Sequence, residues 1–128
     1  EFIIVRNPEI KRNLVKAALN QSFIEEAPVV IVVCADEIRS SQGYGVRGKT
    51  LYCIQDTAAA TQNIHLAAYS LGLGTCWVGA FNEEEARKIL EIPQGVRPVA
   101  IIPVGYPAEK PPARNRRPLN QIIHYEKF

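Results

Sequence analysis

Between Pro28 and Asp36 the chain reads Val29-Val30-Ile31-Val32-Val33-Cys34-Ala35, apolar, mostly β-branched and without polar residues at alternate positions. Successive side chains of a strand point to opposite faces, so a strand wetted on one side alternates polar with apolar residues. A strand that does not alternate has to be covered on both faces. This run therefore demands a sheet with other elements packed above and below it.

The flanking sequence offers those elements. Phe2 to Val5 is aromatic and β-branched, ends at Asn7-Pro8, and reads as a strand. Asn7 then suits an N-cap, with Pro8 at the first helical position and Ile10, Leu14, Ala17 and Ala18 on one helix face. Asp36 to Lys49 is polar and carries glycines, which reads as a loop. Thr50 to Leu71 is the longest helical pattern, rich in alanine, which favours helix and lets a neighbouring helix approach closely. Gly72 and Gly74 end it. A short strand is expected over Thr75–Val78, a helix from the cap Asn82 through Glu83 to Leu90, a buried strand over Val99–Val104, and a last strand over Ile122–Tyr125. Helices alternating with apolar strands predict a layered α/β domain over residues 1–128.

Composition narrows the function classes. A net charge of +2 gives no global footprint for nucleic acid. The apolar run at Val29–Ala35 is too short to cross a bilayer, which needs about 20 apolar residues. Cys34, Cys53 and Cys76 are odd in number and too scattered for a metal or CxxC pattern. Cys34 and Cys76 lie in apolar runs and read as small buried hydrophobes. Unpaired thiols predict a reducing compartment, the cytoplasm. The chain has no methionine and opens on what reads as a strand in progress, which predicts that its natural start lies upstream of Glu1.

Few residues carry chemistry. Gly43-Tyr44-Gly45-Val46-Arg47-Gly48 fits GxGxxG, but that fingerprint turns directly from strand to helix, and Asp36 to Gln42 intervene. A mobile loop is the better reading. His65 and His124 have no metal-ligand spacing and read as structural or exposed. Trp77-Val78-Gly79-Ala80-Phe81 follows a strand end, where α/β folds place ligands. Gly79 and Ala80 leave backbone N–H groups uncovered beside the apolar Trp77 and Val78, a combination that suits a planar cofactor with acceptors along one edge. A plain tight turn reads equally well on these residues alone. Arg114-Asn115-Arg116-Arg117, presented after Pro107, Pro111 and Pro112, offers planar forks for phosphate oxygens. A solvated basic loop is the alternative, and a nucleic-acid patch the weakest one, since aromatic residues are not interleaved.

Taken in order, these segments resemble the nitroreductase family. The resemblance rests on Gln55-Asp56-Thr57-Ala58-Ala59-Ala60 with Gln62-Asn63, Leu71 through Phe81, and Ile102-Pro103-Val104-Gly105-Tyr106-Pro107. It continues in Arg114-Asn115-Arg116-Arg117-Pro118-Leu119 and His124-Tyr125-Glu126. It implies a mixed central sheet flanked by helices, in an intertwined homodimer whose C-terminal segments reach across to the partner. It implies FMN at the subunit interface, NAD(P)H as electron donor, and a small oxidant such as a nitroaromatic or quinone as the reduced substrate. By position, the Gly79 and Ala80 backbone would face the flavin N5 and O4 edge, and Trp77 and Val78 would lie against the ring. Arg114 and Arg116 would hold the phosphate, with Arg117 assisting. No catalytic side chain and no metal ligand is implied. Other readings are a flavin-binding or structural module without turnover, or a specialised member with a dedicated substrate. Family members begin with an arginine-bearing helix and a Pro-Ser-Asn-Gln-Pro-Trp type segment before the first strand. This chain has neither, so the resemblance also predicts an N-terminally incomplete domain.

Overall fold

The computed structural model describes residues 1–128. Strand β1 (Phe2–Val5) leads into helix α1 (Pro8–Ala17), and a single turn, α2 (Phe23–Glu26), precedes β2 (Val29–Asp36). Helix α3 (Glu37–Arg47) runs through a π-helical turn (Gly48–Tyr52) into α4 (Cys53–Ser70). Then follow β3 (Gly74–Thr75), α5 (Glu83–Ile89), β4 (Val96–Gly105) and a 3-10 turn at Leu119–Gln121. The sheet order is β1-β2-β4-β3, and every pairing is antiparallel. The sheet formed by this chain is thus antiparallel rather than mixed.

The unalternating run is indeed a strand covered on both faces. Val30, Val32 and Cys34 of β2 enter one core with Leu14 and Ala18 of α1, Ile24 of α2, Ala86 of α5, and Ile92. Val33 points the other way, into a second core with Ala100, Ile102 and Val104 of β4, on which Ile64 of α4 packs. Helices α1, α2 and α5 form one layer and α4 the other. Register shifts between Val33 and Cys34, where the partner moves from Ala100 to Pro98. Such a bulge accommodates a proline that has no N–H for the ladder.

Local chemistry sets the helix starts. The Asn7 side chain accepts from the N–H of Glu9 at 2.8 Å and of Ile10 at 3.2 Å, and the Asn82 side chain accepts from Glu85 N–H at 3.1 Å. Lys11 is buried, its Nζ donating to the carbonyls of Glu25 at 2.9 Å and Ala27 at 2.6 Å. That lysine fastens α1 to the corner where α2 turns into β2.

Several expected elements come out differently. Asp36 to Lys49 is not a loop, because the Asp36 side chain caps Arg39 N–H at 2.8 Å and starts α3 directly after β2. The helix breaks only at Gly45, whose φ of 59° and ψ of −142° suit glycine alone. The glycines of the GxGxxG run therefore lie at the far end of α3, with Gly48 pressed against the Ser40 carbonyl, and form no phosphate-binding turn. The strand expected over Thr75–Val78 shrinks to Gly74–Thr75, and Val78 adds one isolated bridge to Ile101. The buried strand expected over Val99–Val104 is longer, at Val96–Gly105. Ile122–Tyr125 forms no strand, because no strand of this chain pairs with it. Cys76 is exposed, whereas Cys34 and Cys53 are buried.

Candidate functional site

The segment between β3 and α5 is held at several points. Val78 N–H donates to the Ile101 carbonyl, and Ile101 N–H donates to that of Val78, each at 3.0 Å. The Val78 side chain, 2% exposed, sits in the first core. It therefore offers no apolar surface to a ligand, contrary to the sequence expectation, and acts as an anchor. At the other end, Gln21 Nε2 donates to the Ala80 carbonyl at 3.1 Å, and Asn82 N–H to the Ala17 carbonyl at 2.8 Å. Between these ties lie Gly79 and Ala80, both exposed, whose N–H groups donate to no group of the chain.

Gly79 is instructive. Its φ lies outside the left-handed range, and an added Cβ would meet nothing nearer than Trp77 Nε1 at 3.8 Å. Neither strain nor crowding within the chain requires glycine there. The backbone there is open to solvent on that side.

Trp77 is 44% exposed, and its indole stacks on His65 of α4 with ring centroids 5.8 Å apart and 25° between planes. His65 Nδ1 lies 2.6 Å from Thr75 Oγ1 in β3. Burial lowers the His65 pKa, so its ring is neutral at neutral pH. Burial also raises the thiol pKa of Cys34, Cys53 and Cys76, the last exposed as a residue but with its sulfur partly desolvated. None is a thiolate at neutral pH. No group of three or more His, Cys, Asp or Glu side chains is close enough to hold a metal. No helix is long and apolar enough to cross a membrane.

The arginine cluster stands apart. Arg114, Arg116 and Arg117 are exposed and form no ion pair with an acid of the chain. Arg116 Nη1 donates to the Arg114 carbonyl at 3.4 Å and Arg117 Nη2 to the Gln121 carbonyl at 3.0 Å. Every hydrogen bond within residues 112–128 stays inside that segment. The fold thus brings Trp77, Gly79 and Ala80 together but leaves the arginines unattached to them. Sequence reasoning missed the participation of His65, Thr75 and Gln21. They lie far from the turn in sequence, and nothing in their spacing signals it. A cleft of about 630 Å³ lies beyond β3, between Phe23, Pro28, Cys76, Tyr106 and Pro107. It is an open groove beside the turn rather than part of it.

Comparison with known proteins gives this geometry its context. The profile of the nitroreductase family matches residues 1–106. A protein of Methanothermobacter thermautotrophicus named "Putative NADH dehydrogenase/NAD(P)H nitroreductase" is 38% identical, over 99% of this chain and 64% of its own length. The "FMN reductase (NADPH)" of Bacillus subtilis is 32% identical, over 96% of this chain and 55% of its own. The solved structure of B. megaterium NfrA2 superposes with a TM-score of 0.91 at 29% identity, covering 100% of this chain and 57% of that one. The chain therefore spans between about half and two thirds of the length of these three relatives. A profile match over most of the chain, and a sheet and helix order that superpose on solved relatives, lead to one assignment: the chain belongs to the nitroreductase family.

Proposed function

We propose that this chain forms the larger part of a subunit of an FMN-dependent oxidoreductase that takes electrons from NAD(P)H and reduces nitroaromatics, quinones or similar small oxidants. The observation that carries the reading is the turn at Gly79–Ala80, two adjacent free N–H groups on a backbone tied at both ends, beside an exposed indole. Backbone donors fixed in place are suited to acceptor atoms on the edge of a flat ring, because they need no reorganisation when the ring's charge changes. The unpaired forks of Arg114 and Arg116 suit a phosphate. When bound, FMN supplies the two-electron redox chemistry, so the protein need only bind, orient and tune it. Trp77 would wall the ring on one side, and Gly79 would let it approach the backbone. No side chain at the turn is placed as an acid or base, in keeping with that division of labour. The names of relatives, "FMN reductase (NADPH)" among them, support the same chemistry.

A homodimer completes the reading. Helix α4 buries only Cys53, Thr61 and Ala68 fully, and leaves Leu66 and Tyr69 exposed on its outer side. Phe2 and Ile4 on the β1 edge, and Leu119, Ile122, Ile123 and Tyr125 in the tail, are exposed as well. So much apolar surface on one chain favours a twofold partner that covers it. Three free thiols are in keeping with the reducing cytoplasm.

Flavin absorbance of the purified protein after gel filtration, followed anaerobically on addition of NADH or NADPH and then of a quinone, tests the proposal. Retained flavin that bleaches and recovers supports it. Flavin that is retained but never bleached points to a binding module without turnover, and a protein that retains none refutes the proposal.

A further inference from the structure

We propose that His65 is a positioning residue, which orients the Trp77 indole over the Gly79–Ala80 turn through its stack on that indole and its hydrogen bond to Thr75. The inference rests on the flavin reading above and names a residue that deepens it. The connection is continuous. His65 projects from α4, which belongs to the helix layer on one side of the sheet, and meets the strand β3 that leads directly into the turn. The rings lie 5.8 Å apart at 25°, an offset stack, and the Nε1 and Cδ1 edge of the indole lies over Gly79, 3.8 and 3.9 Å from where a Cβ would be.

The state of the imidazole fits this role. Nε2 is buried and has no hydrogen-bond partner in the chain. A buried N–H without an acceptor costs more than a bare ring lone pair, so the proton belongs on Nδ1, donated to Thr75 Oγ1 at 2.6 Å. A histidine that only filled space would be replaceable by any side chain of similar volume. Here the Nδ1 bond fixes the ring plane against β3, and that plane sets the angle of the indole. Loss of the ring would free the indole to rotate away from Gly79.

Trp77 is the only tryptophan of the chain, so its emission reports this geometry directly. The test uses the full chain, with His65→Ala, His65→Phe and Thr75→Val variants whose far-UV circular dichroism matches the parent. The readouts are acrylamide quenching of Trp77 and quenching of Trp77 emission during titration with FMN. In His65→Ala, Trp77 should become more accessible to acrylamide, and FMN affinity should fall by about two- to tenfold, the worth of one aromatic pair. His65→Phe, which keeps the stack but cannot make the Nδ1 hydrogen bond, and Thr75→Val, which removes the same bond from the other side, should each fall between the parent and His65→Ala. Unchanged acrylamide quenching in His65→Ala and Thr75→Val would overturn the proposal, as would an altered indole with FMN affinity intact. Should the parent itself show no quenching by FMN, the flavin reading fails, and the acrylamide series still decides whether His65 orients Trp77.

Discussion

Residues 1–105 and residues 106–128 are built from similar side chains and behave in opposite ways. All 24 buried residues lie at or before Val104, among them those of the two cores on either side of the sheet. The tail contains Leu119, Ile122, Ile123, Tyr125 and Phe128, and exposes every one of them. Arginine repeats the contrast. Arg97 forms a two-pronged bond with Glu83 inside the first region, whereas Arg114 and Arg116 of the second have no acid partner. Apolar or charged character therefore does not decide burial by itself. A side chain is buried where the same chain provides a facing element, and β2 has one on each side while the tail has none. The family profile ends at Tyr106, just beyond β4.

The sharpest way to break the comparison is to remove the tail. A chain ending at Pro111, which keeps the residues beside the cleft, should retain its helix and strand signal while losing self-association and flavin retention. Sedimentation velocity beside far-UV circular dichroism measures both. If the shortened chain unfolds, the tail belongs to the folding unit and the contrast is wrong.

Single side chains sharpen it next. Leu14, fully buried between α1 and β2, should cost about 2–5 kcal/mol of unfolding free energy on replacement by alanine, through lost burial and the cavity left behind. Ile122→Ala should stay within about 0.5 kcal/mol under conditions where the chain is monomeric. Urea denaturation of the two variants at one low concentration makes the comparison. Comparable losses would show that the tail packs on the body after all.

The arginines provide the third step. Replacing Arg114 and Arg116 together by alanine should weaken FMN by about tenfold or more, since each loses a charge-assisted contact, while the unfolding midpoint without FMN stays put. Equilibrium dialysis measures the first and thermal denaturation the second. A shifted midpoint with unchanged FMN affinity would make these arginines structural.

How much of this was legible in the sequence follows from the range of the interactions. The two-faced strand, the Asn7 and Asn82 caps and the buried face of α1 depend on residues within a few positions of one another, and they read correctly. Helix α3 did not, because Asp36 to Arg47 shows no apolar period and holds two glycines. Its start depends on one cap at Asp36, and no residue of the helix is buried. The shortness of β3 reflects a turn held by Gln21 and Ile101, both remote in sequence. Val78 read as ligand-facing surface because nothing local shows that its side chain turns into the core. Ile122–Tyr125 has the composition of a strand, and composition cannot provide a partner strand. The candidate turn was visible as Trp77 to Ala80, but His65 and Thr75 behind it became visible only once α4 was laid against the sheet.

The smallest effect concerns the ion pair that the tail lacks. Arg97 Nε and Nη2 donate to the two Glu83 carboxylate oxygens at 2.8 Å each, joining the start of α5 to β4. That hydrogen bonding, aided by the charges of Arg97 and Arg87 and opposed by partial burial, holds the Glu83 carboxyl below its ordinary pKa. A carboxylate whose pKa is depressed by folding adds stability above its unfolded pKa of about 4.3, and that stability disappears as the pH falls through the depressed folded value. The side chains are 43% and 41% exposed, so solvent and salt screen the pair, and its worth should stay below about 1 kcal/mol. Glu83→Gln should therefore lower the urea midpoint slightly at pH 7, and the gap from the parent should narrow on acidification and at high salt. Glu85→Gln, in the same first turn but without an arginine partner, separates the bridge from the general preference for acids at a helix start. Equal losses from the two variants at neutral pH would show that the bridge contributes nothing beyond the helix dipole, and a gap that widened in acid would reverse the sign assigned to Glu83.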